Sequence, residues 1–170
     1  MSFAKSFGLS LVIFIGLNVV FFFIGATLID GRLDLFFNNL DAELSVILEP
    51  LFGPIYAGMG PESILGTVLT VSDLELGDIV LLIGYVVAPL IAAILAGRFA
   101  ENKIEALLGW FLATMVSAVI VLSWRIFVLS DMGQPADDIV DYAIFTAVLG
   151  AILGIFYGCF ALLFTSSEYF

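Results

Sequence analysis

Three aspartates open the last apolar stretch of the chain: Asp137, Asp138 and Asp141. On a helix, Asp137 and Asp141 share one face, a spacing that could hold a divalent cation through carboxylate oxygens. The same residues follow Pro135 at the start of a helical run. There, carboxylates satisfy free N–H groups and complement the positive end of the helix dipole. Capping is the reading that the local sequence favours, and a cation site is the alternative.

Little else in the chain could do chemistry. Histidine is absent, which excludes bis-histidine haem, histidine-rich zinc or copper sites and an imidazole general base. Cys159 is the only cysteine, so no intrachain disulfide or paired-cysteine motif can form. Its neighbours Phe156, Tyr157, Phe160 and Leu162 are apolar, and an inert membrane-buried thiol is expected. The phosphate-loop, nucleophile-elbow and zinc-protease motifs do not occur. No enzyme activity and no cofactor are expected.

Composition explains why polar chemistry is scarce. Of 170 residues, 62% are hydrophobic, and mean hydropathy is +1.20. A soluble domain, about 45–50% apolar on average, has no interior large enough for this many apolar side chains. The sequence predicts an all-α integral membrane protein, with residues 1–170 forming a single membrane domain. Four apolar runs mark transmembrane helices at 7–29, 79–96, 104–127 and 139–164. The first run follows Lys5 but is too long for a signal peptide and lacks a clear cleavage site, so it reads as a true span. Pro89 predicts a kink in the second span.

Charge sets the expected orientation. Lys5, Arg98 and Lys103 flank the first three spans on one side, which places both termini in the cytoplasm of a multi-pass cell-membrane protein. Arg32 and Arg125 run against this trend; Arg125, beside Trp124, is expected to snorkel to the interface. Thirteen of the sixteen carboxylates then fall outside, including Asp41, Glu43, Glu49 and Glu62, and three fall inside: Glu101, Glu105 and Glu168. Net charge is −11 with five fixed cations, too few for a nucleic-acid-binding stripe.

Between the first two spans lies a long, partly helical extracytoplasmic segment, 30–78. Leu33, Phe36, Phe37, Leu40, Leu44, Ile47 and Leu48 recur at helical steps and predict a helix from about Leu33 to Glu49. Pro50, Gly53, Pro54, Gly58, Gly60 and Pro61 then predict an irregular apolar piece over 51–61. That piece reads as a lid over the bundle, with a re-entrant loop or a partner-docking surface as alternatives. Residues 63–71 fit either a short helix or an extended segment.

Small residues recur every four positions in three spans: Gly84, Ala88 and Ala92; Gly109 and Ala113; Gly150, Gly154 and Gly158. These faces let helix backbones approach closely, within the bundle or toward another subunit. The bulky run 19–24 suits lipid or a hydrophobic neighbour. Asn18, the strongly polar residue of span one, is expected to hydrogen-bond a neighbouring helix. Asn102 and Glu105 read as a capping box opening span three.

Missing chemistry and small-residue faces together predict a non-catalytic polytopic subunit. It would scaffold or stabilise a larger membrane complex, with the lipid bilayer and other membrane subunits, or copies of itself, as partners. The alternative is a homo-oligomeric cation channel or transporter whose acidic outer vestibule collects cations.

Overall fold

The computed structural model describes residues 2–40, 45–71 and 73–165. Asp41, Glu43, Leu44 and Glu168 lie outside the described residues. Seven helices and no strand occur among those described: α1 Ser2–Thr27, α2 Arg32–Asn39, α3 Ser45–Ala57, α4 Pro61–Thr70, α5 Leu76–Phe99, α6 Lys103–Asp131 and α7 Ala136–Phe164. Four of them, α1, α5, α6 and α7, are long and apolar enough to cross a membrane. Each contains one of the sequence-derived spans, except that α1 ends two residues early. The chain is a multi-pass membrane protein.

The spans form a ring in the order α1, α5, α7, α6. Small residues set its close contacts. Gly25 lies against Leu81, Gly84 against Phe21, and the Ser6 hydroxyl donates to the Ala96 carbonyl at 2.9 Å, so α1 and α5 run antiparallel. Along α7, Gly150, Gly154 and Gly158 meet Ala118, Phe111 and Leu107 of α6 in turn, again antiparallel. Gly109 faces Ser6, and a Cβ at Gly97 would overlap the Ala161 carbonyl oxygen. Ala88, Ala92 and Ala113 are fully buried. All eight small residues singled out from the sequence thus lie inside this chain's own bundle.

This topology gathers Lys5, Arg98 and Lys103 at one end and Asp30, Asp78, Asp131 and Asp137 at the other. We call these the basic and acidic ends. At the basic end the Asn102 side chain accepts from the Glu105 N–H at 2.9 Å, opening α6. The return arm of this cap reaches the Glu101 N–H, at 3.4 Å, one residue earlier than a standard capping box.

Trp110 is the largest fully buried side chain. Its indole N–H donates to the Leu153 carbonyl at 3.3 Å, and its ring lies edge-on to Phe14 and Tyr157. Trp110→Phe removes that bond and leaves a void. It should destabilise the bundle by about 2 kcal/mol, read as an earlier unfolding midpoint in mixed micelles.

Three sequence expectations change for the segment between α1 and α5. The helix expected over 33–49 is two helices, with α2 ending at Asn39. The piece expected to be irregular is largely helical: α3 passes through Pro50 to Ala57, and only Gly53 leaves helical geometry. Residues 63–71, open between a short helix and an extended segment, fall mostly in α4, Pro61–Thr70. Packing overrides the local breakers here. Leu48, Phe52 and Ile55, spaced at i, i+4 and i+7, are buried in the same core cluster as Phe14, Trp110 and Tyr157. α3 packs against all four long helices.

The bulky run of α1 is divided: Val20 and Ile24 stay exposed, while its aromatic residues meet the chain itself. Phe22 is buried with Phe36 of α2, and Phe23 and Phe37 complete an aromatic cluster. α5 continues through Pro89, which is fully buried. Cys159 points away from the core rather than into it; its thiol donates to the Ile155 carbonyl on the exposed face of α7.

Candidate functional site: a broken helix beside a buried asparagine

The break in α3 follows from three residues. Pro50 and Pro54 lack N–H groups, so the carbonyls four residues before each lose their helical donors. Gly53 takes φ 21° and ψ −96°, a backbone state that a Cβ would oppose. Space is equally restricted: a Cβ on Gly53 would lie 2.7 Å from Asn18 Oδ1 and 2.9 Å from the Tyr85 ring. Glycine is required here for both reasons.

Asn18 and Tyr85 each sit nine residues from the acidic end of their helices, α1 and α5. At 1.5 Å per residue that is a depth of about 13 Å, close to the centre of a ~30 Å hydrocarbon layer. Asn18 is 3% exposed, yet neither its amide nitrogen nor its oxygen has a hydrogen-bond partner in the protein. The neighbouring-helix bond expected from the sequence is not made. A buried amide without partners costs about 1–3 kcal/mol, so the fold retains a polar spot where an apolar residue would be more stable.

Above this spot, toward the acidic end, three helices contribute charge. Arg32 of α2 pairs with Glu49 of α3 at 2.7 Å and lies 3.7 Å from Asp78 of α5. These side chains are about a third exposed, so each pair adds at most about 1 kcal/mol. Their value is positional. Arg32 lines two cavities: one of about 300 Å³ with Phe22, Glu49 and Tyr56, and one of about 210 Å³ with Thr67, Asp78 and Tyr85. The second reaches the tyrosine that contacts Gly53.

Arg125 of α6 sits over the rings of Tyr56 and Tyr142, 4.9 and 5.5 Å from their centroids. Its Nε is buried without a partner. The ring faces supply the negative potential that a guanidinium needs at this depth.

The other sequence candidates are not drawn into this site. Asp137, Asp138 and Asp141 are exposed at the start of α7, and no group of potential metal ligands occurs among the described residues. Two of the three lie in the first turn of α7, but no side-chain hydrogen bond is made at its cap, Pro135. They act on the helix through its dipole. The residues that sequence reading missed are Gly53, Tyr85 and Arg32. A readable signal existed in Pro50, Gly53 and Pro54 falling within an unbroken helical apolar period.

No protein-family model, curated protein or solved structure matches this chain.

Proposed function

We propose that the chain is a non-enzymatic membrane passage for a small cation, entered from the acidic end and routed past Asn18. The observation that carries this reading is the unpartnered Asn18 amide beside the broken helix α3. Discontinuous helices within membranes present free carbonyls and half-helix ends to ions, and irregular backbone at that depth is tolerated where it is buried in protein or lines a cavity. Asn18 Oδ1, the carbonyls released by Pro50 and Pro54, and the Tyr85 hydroxyl supply oxygen ligands suited to an alkali cation. The carboxylates of the acidic end raise local cation concentration. In this reading the acidic end is extracytoplasmic and the termini are cytoplasmic, as the basic residues at the opposite end favour.

The scaffold-subunit reading rested on the missing chemistry and, for its contact with other subunits, on the small-residue faces. Those faces are occupied by the chain's own helices, which removes that argument and leaves transport the better supported of the two.

Sodium and potassium uptake into liposomes carrying the purified chain tests the proposal. Glu49→Gln removes the nearer counter-charge of Arg32, the residue that lines both cavities. Uptake should then fall several-fold relative to the unaltered chain. Uptake by the unaltered chain no faster than that of protein-free liposomes would sink the reading.

A further inference from the structure

Above Asn18, two carboxylates already hold a cation, and that cation belongs to the chain. Gly31 turns the backbone out of α1 with φ 76°, a left-handed state that glycine adopts without strain. The turn sets Arg32, the first residue of α2, back over α1, with its guanidinium carbon 5.9 Å from the centre of the Phe22 ring. Nη2 then meets Glu49 Oε1 of α3 at 2.7 Å, and Nη1 faces Asp78 Oδ1 of α5 at 3.7 Å. The guanidinium stands between carboxylates from two separate helices. A free divalent cation would seek the same place, because such ions are held by several oxygens, carboxylates foremost.

The position is also the one that matters for entry. Arg32 lines both cavities, and all three side chains remain partly open to solvent. One positive charge facing two negative ones leaves a single negative charge there.

We propose that Arg32 sets the valence of the cation accepted at the acidic end, favouring monovalent ions and turning divalent ones away. A fixed positive charge repels a divalent ion with twice the energy it applies to a monovalent ion at the same distance. Affinity depends exponentially on energy, so the divalent penalty is the square of the monovalent one. At about 5 Å in a water-like dielectric, one unit charge lowers monovalent affinity about fourfold and divalent affinity about fifteenfold. Both carboxylates stay attractive to cations, yet neither is free to chelate. The part played in transport rests on the passage proposed above; the charge filter itself does not.

Equilibrium dialysis of radiolabelled calcium against the full chain in nonionic detergent tests the filter without a transport step. Arg32→Gln should bind calcium about fifteenfold more tightly than the unaltered chain. Arg32→Lys keeps the charge and should stay near the unaltered value. Adding Glu49→Gln to Arg32→Gln restores the single negative charge and should reverse the gain. An ion pair that only joins α2 to α3 and α5 would give no such pattern. Equal calcium affinity in Arg32→Gln and the unaltered chain would overturn the proposal, as would an equal gain in Arg32→Lys. Sodium uptake by liposomes is read separately: its absence in the unaltered chain would sink the passage and leave the dialysis result to decide the filter.

Discussion

Gly97→Val is expected to prevent the bundle from assembling. A Cβ at this position overlaps the backbone carbonyl of Ala161, and no rotamer change can move a backbone atom aside. α5 and α7 would have to separate near the basic end, where Ser6, Ala96 and Ala161 are all fully buried. Forcing atoms into a packed interior costs about 1–3 kcal/mol when side chains can adjust, and more when they cannot. Against a total stability of roughly 5–15 kcal/mol, that loss should appear as aggregation, or as an unfolding midpoint far below that of the unaltered chain. Gly8→Val is the matched control, since a Cβ there meets nothing within 4 Å. Equal stability of the two variants would show that α5 and α7 do not approach as described.

Asn18→Leu is expected to do the opposite and stabilise the protein. The substitution replaces two unpartnered polar atoms with an apolar group of similar size, in a site that is 3% exposed. Removing the desolvation penalty of that amide should add about 1–3 kcal/mol, read as a later unfolding midpoint. An asparagine serving only to join two helices would behave differently, because its loss would break a bond and lower stability. Residues kept for function at the expense of stability commonly show this sign. A fall in the midpoint on Asn18→Leu would mean that the amide is satisfied in the fold and the site is structural.

The spans were legible in the sequence because long charge-free runs allow few other structures in lipid. Which helix each small-residue face meets was not legible. Gly154 repeats at the same interval whether it faces Phe111 of its own chain or another subunit, and only the fold assigns the neighbour. The segment between α1 and α5 was the main failure, and the cause is physical. Pro50, Gly53 and Pro54 end most helices in water, but burial of Leu48, Phe52 and Ile55 compensates for the lost hydrogen bonds here. Asn18 stood out as a polar residue in an apolar run, yet its lack of partners depends on α3, whose course the local pattern did not reveal.

The central claim is that a cation passes the Asn18 site, and cation uptake by liposomes carrying either the unaltered chain or Asn18→Leu tests it most directly. The account predicts uptake above the protein-free rate for the unaltered chain, and a fall to that rate for Asn18→Leu although the variant is the more stable protein. Equal uptake by the two proteins would contradict it.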